Sequence, residues 1–225
     1  MTGRIGTHFL ATLLAASLLA GASGCAMNAK SKGAIIGATA GGIGGGLIGK
    51  NNGSTTKGAI IGAVLGGAAG AIIGHQMDQQ AKELQQNIPG AIVERVGEGI
   101  QVTFASGLMF DFDSDVINGA ARSNLDALAA SLGKYDNSSL LIAGHTDDVG
   151  KDSYNRGLSE RRARSASRYL QSRGVDREIS TIGLGETEPV ESNASEDGRQ
   201  RNRRVEVAIY ASPEARRAAI AQAGN

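Results

Sequence analysis

The chain has 225 residues, a formal net charge of +1, 41% hydrophobic residues and 4% aromatic residues, with no Trp. This length suits one folded domain with appended segments. The balanced charge and the scarcity of aromatic rings argue against nucleic acid as a partner, because nucleic-acid-binding surfaces are basic and single strands stack on aromatic side chains.

The first 24 residues have the pattern of an export signal. Arg4 supplies a positive charge, an apolar run covers residues 9–20, and small residues occupy 21–24. The apolar run is too short to span a membrane. The sequence therefore predicts a cleaved signal peptide over residues 1–24 and an exported protein.

Cys25 is the only cysteine. The residues before it, Ala22-Ser23-Gly24, resemble the lipobox of bacterial lipoproteins, whose cysteine is acylated and becomes the first residue. A plain secretory cleavage site stays open as an alternative, because a lipobox usually begins with Leu and carries more positive charge upstream. Acylation would remove a free thiol and anchor the chain in lipid. Since Ala26 is not aspartate, the resemblance implies an outer-membrane anchor, with residues 25–32 as the lipidated amino terminus.

Two copies of a glycine-rich motif follow, offset by 25 residues. Residues 32–50 read KGAIIGATAGGIGGGLIGK, and residues 57–75 read KGAIIGAVLGGAAGAIIGH. Glycine recurs at every fourth residue, which places the glycines along one face of a helix. Such faces allow close helix packing in lipid. We therefore predict a glycine-zipper helical hairpin over residues 33–74 that enters the membrane and returns.

Other interpretations of the repeat stay open. The hairpin would also suit packing on itself or on a partner at the membrane surface, whereas a flexible linker is disfavoured by the Ile and Leu content. The expected partners of this segment are outer-membrane lipid and further copies of the chain in a homo-oligomer. A polar helical stalk or linker is predicted over residues 75–90, which ends at Pro89-Gly90.

From residue 91 the pattern is that of a folded α+β domain. Two strands, residues 92–96 and 100–104, flank Gly97-Glu98-Gly99 and predict a β-hairpin. The later predicted elements are a helix over 117–132 that ends at Gly133, a strand at 140–143, a helix over 153–172, and strands at 179–184 and 205–209. We therefore predict a βαβαββ sandwich over residues 91–210, with helices on one face of a mixed sheet.

The tail, residues 211–225, is less constrained by its sequence. Ser212-Pro213-Glu214 favours the start of a short helix, and disorder stays open as the alternative.

A dense group of opposite charges occupies residues 145–163, HTDDVGKDSYNRGLSERRA. A helical wheel places Arg162 beside the apolar face of its helix, near the loop that carries Asp147. One carboxylate and one bidentate guanidinium at a fixed separation suit a zwitterionic ligand. The alternative is that Asp147 and Arg162 pair with each other and pin the loop to the helix.

Several separated motifs closely resemble, in the same order, the OmpA-like peptidoglycan-binding domain family. They are MFDFDSDVI at 109–117, GHTDDVGKDSYNRGLSERRARSASRYL at 144–170, GLGETEPVESN at 183–193 and GRQRNRRVEVAIY at 198–210. The implied fold is that of the OmpA carboxy-terminal domain. Together with the lipobox and the glycine zipper, the architecture resembles the YiaD-type outer-membrane lipoproteins.

The resemblance implies a binding site for the diaminopimelate of peptidoglycan stem peptides, without cleavage of the peptide. In it, Asp147 meets the ammonium group of the ligand and Arg162 its carboxylate. The other implied ligand-binding residues are Asp113, Thr146, Asn155, Leu158, Asn202 and Arg203. The implied function is a lipid-anchored tether between the outer membrane and the cell wall, with the domain in the periplasm. A pore, stator or transport component that uses the domain as a wall anchor is the alternative.

We expect no cofactor, no metal and no catalytic activity. The domain holds one histidine, His145, and no cysteine, which is too few ligands for zinc. The aspartates at 111–115 and 147–152 resemble calcium loops but lack the EF-hand spacing. No Ser or Cys nucleophile has an evident base.

Overall fold

The computed structural model describes residues 53–224. The predicted signal peptide, Cys25, the lipidated amino terminus and the first glycine copy lie outside the described residues. The helices are α1 (Thr55–Gly62), α2 (Gly67–Asn87), α3 (Ser106–Met109), α4 (Gly119–Lys134), α5 (Asp152–Ser172), α6 (Glu196–Asn202) and α7 (Pro213–Ala223). The strands are β1 (Ile92–Val96), β2 (Gly99–Ala105), β3 (Ser138–His145), β4 (Ile179–Gly185) and β5 (Arg204–Ala211).

The five strands form one mixed sheet in the order β1-β2-β5-β3-β4. Strands β3 and β4 are parallel, and the other neighbouring pairs are antiparallel. The hairpin of β1 and β2 turns at Gly97, whose φ of 52° suits glycine. The α+β fold class and the predicted order of strands and helices are therefore confirmed.

The two faces of the sheet bury different sets of apolar residues. Val102, Ile142 and Val207 belong to the main core, which is completed by α2, α4, α5 and α7. Strand residues alternate between faces, so Leu141 and Ala208 point to the opposite side. That side is covered by α1, through Ile60. The expectation of helices on one face holds for the main layer, and α1 is an addition on the other face.

Helix ends follow local capping chemistry. The Asn118 side chain accepts a hydrogen bond from the Ala121 N–H and starts α4, and Ser212 does the same for α7. The prediction that α4 ends at Gly133 is wrong, because the helix runs through Lys134 to a cap at Tyr135. Of the two alternatives left open for the tail, the structure has the short helix, α7, and Ala219 is buried in the main core.

The second glycine copy is not one uninterrupted helix, so that part of the hairpin prediction is wrong. It is divided between α1 and α2 by a turn at Gly66 and Gly67, whose φ angles are 71° and 61°. The Glu98 carboxylate accepts hydrogen bonds of 2.8 Å from the N–H groups of Leu65 and Gly66 and holds this turn. Within residues 53–224, no helix combines the length and apolar character needed to cross a membrane. For the first copy, a helix that enters the membrane stays a prediction.

The predicted stalk packs into the domain. Helix α2 buries Met77, Ala81 and Leu84 in the main core. Gln76 and Asn137 exchange two side-chain hydrogen bonds of 3.0 and 2.8 Å, which tie α2 to the segment before β3. The boundary predicted at residue 91 is therefore wrong, because the folded unit already includes α2.

Polar contacts fix α1 on the outer face of the sheet. The Thr55 N–H donates to the Glu188 carboxylate over 3.0 Å, and the Thr56 hydroxyl donates to Glu206. Ile60 is buried against Gly99, where an added Cβ would lie 2.5 Å from the Ile60 Cγ2 atom. This copy of KGAIIGA therefore acts as a cover for the sheet.

A buried charged cluster lies beneath α1. The Arg204 guanidinium donates to the Glu206 carboxylate over 2.7 Å, and the His145 Nε2 atom lies 3.8 Å from the same carboxylate. Burial and the charge of Arg204 lower the pKa of His145 to about 3, against the opposing effect of Glu206. The histidine is therefore neutral in the folded state.

This neutral histidine predicts acid sensitivity. An unfolded chain binds a proton at His145 near its ordinary pKa of 6.5, whereas the folded chain resists protonation down to about 3. Protonation of His145 therefore has no effect on the free energy of unfolding above about pH 6.5. As the pH falls from 6.5 towards 3, it lowers that free energy by about 3 to 5 kcal/mol. Urea unfolding at several pH values should show a shallower loss in His145→Gln than in the wild type. Equal pH slopes for both proteins would contradict the assignment.

Candidate functional site

The predicted site lies along the first half of α5, at the end of the sheet where β3 and β4 finish. Strand β3 ends at His145, so Asp147 lies in the following loop. Helix α5 sits close to the sheet because Gly144 and Gly183 lack side chains. An added Cβ at Gly144 would lie 2.1 Å from the Ser159 carbonyl oxygen, and one at Gly183 would lie 2.5 Å from the Glu160 nitrogen.

Arg162 is a buried guanidinium with few protein partners. Only 5% of the residue is exposed, its Nε donates to the Ser114 carbonyl oxygen over 2.9 Å, and its Cζ lies 5.2 Å from the Phe110 ring centroid. Burial lowers its pKa, and the nearby charges of Asp113 and Asp115 oppose that effect. Among residues 53–224, no carboxylate forms a salt bridge with Arg162. A buried cation of this kind favours an anionic ligand.

The loop between α3 and α4 brings Asp113 beside Arg162. Asp113 has a φ of 56°, which is uncommon for a residue other than glycine. Its carboxylate accepts a hydrogen bond from the Tyr154 hydroxyl of α5. Two contacts therefore hold the loop against α5, one between Tyr154 and Asp113 and one between Arg162 and Ser114.

Asp147 is paired with Arg203 and not with Arg162. One carboxylate oxygen accepts from the Val149 N–H over 3.1 Å, and the other accepts from the Arg203 Nη1 over 2.5 Å. The alternative in which Asp147 and Arg162 bridge each other is therefore wrong in this structure. Each oxygen keeps a second lone pair for an ammonium group.

Arg203 links two carboxylates. Its Nη2 donates to Glu196 over 2.6 Å while its Nη1 holds Asp147. Burial disfavours the charged form, but the hydrogen bonds that Arg203 donates to the Glu196 and Asp147 carboxylates raise the pKa of Arg203. Arg203 therefore lies beside Asp147, and its contact fixes the direction of the Asp147 side chain.

Asn155 organises the loop that carries Asp147. Its side-chain amide donates to the carbonyl oxygens of Asp147 and Val149 over 3.3 and 3.2 Å and to the Glu186 carboxylate over 2.8 Å. Thr146 is buried and its N–H donates to the Gly185 carbonyl oxygen over 2.9 Å. Among residues 53–224, the Thr146 hydroxyl has no hydrogen-bond partner.

Leu158 lies one turn before Arg162 on α5 and is buried. Its role as the apolar lining on the helix side of the site stays a prediction. The structure thus groups the predicted residues into an Arg162 side, with Asp113 and Leu158, and an Asp147 side, with Asn155 and Arg203. Whether they bind a ligand stays a prediction.

Asn202 has a structural environment. It is fully buried, its Oδ1 accepts from the N–H groups of Val190 and Glu191 over 2.9 and 3.0 Å, and its Nδ2 donates to the Glu191 carbonyl oxygen and the Asn193 side chain over 2.8 and 2.6 Å. All of its amide groups are used within the protein. Asn202 therefore organises the loop before α6, and its predicted ligand contact lacks a free polar atom.

Asn202→Ala should lower stability without removing ligand affinity. The substitution removes the four side-chain hydrogen bonds of a fully buried residue, and we expect a loss of about 2 to 4 kcal/mol. Urea unfolding measures this loss, and a wall-binding assay on the folded fraction measures affinity. Loss of binding with unchanged stability would instead assign Asn202 to the ligand.

Sequence reasoning missed four participants. They are the Phe110 ring and Ser114 carbonyl that contact Arg162, the Tyr154 hydroxyl and the Glu186 carboxylate. The FDFDSD segment, residues 110–115, contained a signal for the first two, because it includes Asp113, an implied ligand-binding residue. Within the described part of the chain, no group of three or more His, Cys, Asp or Glu residues is arranged to hold a metal ion.

Two family models match the chain. Residues 109–203 match the OmpA family, and residues 4–78 match the YMGG-like Gly-zipper. All eight predicted ligand-binding residues lie within the first match. The resemblance found in the sequence is therefore confirmed by a match to the OmpA family over residues 109–203, in a chain that also matches the YMGG-like Gly-zipper.

Curated relatives agree with this assignment. Outer membrane protein A of Bordetella avium is 41% identical over 113 residues, which are 50% of this chain and 58% of the relative. Outer membrane porin F of Pseudomonas fluorescens is 41% identical over 103 residues, which are 45% of this chain and 32% of the relative. The chain thus spans less than two thirds of the length of these relatives.

Solved structures share the fold. A MotB like protein from Desulfovibrio vulgaris matches with a TM-score of 0.58 and 22% identity, over 64% of this chain and 96% of that chain. The cell wall anchor of the T6SS from Pseudomonas aeruginosa matches with a TM-score of 0.50 and 28% identity, over 62% of this chain and 97% of that chain.

Proposed function

We propose that this protein binds peptidoglycan without cleaving it and anchors the outer membrane to the cell wall. The observation that carries the proposal is the Arg162 guanidinium, which is buried and has no acidic salt-bridge partner within residues 53–224. A carboxylate of the ligand would supply that partner through a bidentate contact.

The ligand group that fits both halves of the site is the free zwitterionic end of diaminopimelate. Its carboxylate would meet Arg162, and its ammonium group would meet Asp147. Because Arg203 already engages one Asp147 oxygen, the carboxylate is oriented before the ligand arrives, which lowers the entropy cost of binding. Each charge-assisted contact contributes about 1.5 to 3 kcal/mol.

The remaining residues support binding and not bond cleavage. Asn155 fixes the Asp147 loop, while Arg162 and Tyr154 fix the Asp113 loop. The proposed action is a reversible clamp. A single clamp binds modestly, but many anchored copies facing one polymer act together through avidity.

The anchor is the second part of the proposal. Acylation of Cys25 would hold the amino terminus in the outer membrane and leave the domain in the periplasm. Outer-membrane lipid as a partner and a homo-oligomer through glycine helices stay predictions, and Cys25 and the first glycine copy lie outside the described residues.

Co-sedimentation with purified sacculi tests the binding function. The full-length protein in detergent should pellet with walls that contain diaminopimelate, and soluble stem peptide should return it to the supernatant. A protein that stays in the supernatant at all wall concentrations would overturn the proposal. A clearing zone in a wall-containing gel would overturn its non-catalytic part.

A further inference from the structure

A groove lies along α5, at residues that follow Arg162 in the helix. It has a volume of about 330 Å³ and lies between the start of α4, α5 and the loop before α4. Its lining includes Asp115, Ile117, Arg122, Ser165, Arg168 and Tyr169. The proposed clamp does not use this groove.

The groove has an excess of positive charge. Within residues 53–224, neither Arg122 nor Arg168 has a salt bridge, and the side-chain hydrogen bond of Arg168 goes to the Ser165 hydroxyl over 2.9 Å. Nearby arginines differ, because Arg164 pairs with Glu160 and Arg173 with Asp126. Two guanidinium groups without a salt bridge in the described part of the chain therefore line a groove whose lining contains one carboxylate, Asp115.

The groove lies close to the clamp. Arg162, Ser165 and Tyr169 are three and then four residues apart on α5, so they share one face of the helix. At 1.5 Å per residue, Ser165 to Tyr169 lie about 5 to 10 Å beyond Arg162 along the helix axis. Asp115 directly follows Ser114, the residue that accepts a hydrogen bond from Arg162.

We propose that this groove is a second carboxylate-binding subsite, in which Arg122 and Arg168 take an acidic group of the same peptide ligand. The inference rests on the proposed function, because it needs a stem peptide held at Arg162. Where the diaminopimelate residue is joined to the side-chain carboxyl of a glutamate, the α-carboxylate of that glutamate stays free. A flexible link of several bonds separates the two carboxylates, which suits the spacing along α5.

The test uses the full-length protein in detergent and three soluble probes. They are diaminopimelate, the tripeptide Ala-γ-Glu-diaminopimelate, and the same tripeptide with the glutamate α-carboxylate converted to an amide. We expect the double variant Arg122→Gln with Arg168→Gln to bind the free tripeptide about three- to tenfold more weakly. Its affinities for diaminopimelate and for the amidated tripeptide should equal those of the wild type. The control variant, Arg164→Gln with Arg217→Gln, removes the same charge and should bind all three probes normally.

The outcomes separate the two proposals. Equal affinity of wild type and double variant for the free tripeptide, or equal weakening for both tripeptides, would overturn the subsite. Binding of none of the three probes to the wild type would overturn the clamp itself. A selective loss for the free tripeptide supports both.

Discussion

Arg162→Ala is expected to reduce retention on diaminopimelate-type cell wall by about two to three orders of magnitude. The buried guanidinium is the one group in the proposed clamp that can fork onto the ligand carboxylate, and loss of a buried charged contact costs about 2 to 5 kcal/mol. The measurement is co-sedimentation with purified sacculi over a range of wall concentrations. Asp147→Ala should show a similar loss, because it removes the partner of the ligand ammonium group.

The stability of Arg162→Ala should change less than its affinity. The variant loses the hydrogen bond from Arg162 to Ser114 and the contact with Phe110. It also avoids the desolvation of an unpaired buried charge. Urea unfolding of the variant should therefore remain close to the wild type. Arg164→Ala is the matched control, since Arg164 lies on the same helix with an exposed side chain paired to Glu160. Wall retention by Arg162→Ala equal to that of Arg164→Ala would refute the assigned role.

The second large effect is expected for Gly144→Ala. An added Cβ at Gly144 would lie 2.1 Å from the Ser159 carbonyl oxygen and 2.8 Å from its carbon. Both atoms belong to the backbone of α5, so no rotation of a side chain relieves the clash. Helix α5 must move away from β3, and we expect a loss of about 3 kcal/mol or more in the free energy of unfolding.

Gly133→Ala is the control for this substitution. Gly133 lies inside α4, and an added Cβ there meets nothing within 4 Å. Alanine in a helix is favoured over glycine, so this variant should gain about 0.5 to 1 kcal/mol. Urea unfolding of both variants separates a close-packing effect from a general intolerance of alanine at glycine sites. A Gly144→Ala protein as stable as the wild type would contradict the close approach of α5 to the sheet.

The displacement of α5 also links stability to the site. Arg162 and Asn155 are both carried by α5, while Asp147 follows β3. A shift between these two elements changes the separation of the clamp residues. Any Gly144→Ala protein that folds should therefore bind the wall more weakly than its folded fraction predicts, whereas Gly133→Ala should bind normally.

Much of the fold follows from local patterns in the sequence. The alternation of Val205, Val207 and Ile209 identified β5, and the helical spacing of Ala163, Ala166 and Leu170 identified the buried face of α5. The same wheel placed Arg162 at the edge of the core, which the structure confirms. Local periodicity succeeds here because each element buries one face.

The contacts that escaped prediction are long-range. Asp147 and Arg203 are 56 residues apart in the chain, and no periodicity relates them. The full hydrogen bonding of Asn202 depends on the path of the loop before α6. Sequence alone identified both residues by resemblance, but their partners required the folded arrangement.

The glycine repeat shows a different limit. Glycine at every fourth residue suits helix packing in lipid and also suits close packing on a protein surface. In the structure, Thr56 and Glu98 provide the polar contacts that hold the second copy on the domain. Neither contact is part of the glycine pattern. Docking of α1 on the sheet and insertion of the same residues into lipid exclude each other.

The most direct test of the account compares two kinds of wall. Lysine-type stem peptides lack the side-chain carboxylate of diaminopimelate, and Arg162 would then remain without its partner. The full-length protein should co-sediment with diaminopimelate-type sacculi and stay in the supernatant with lysine-type sacculi. Equal retention on both walls would contradict the claim that Arg162 holds the carboxylate of the ligand.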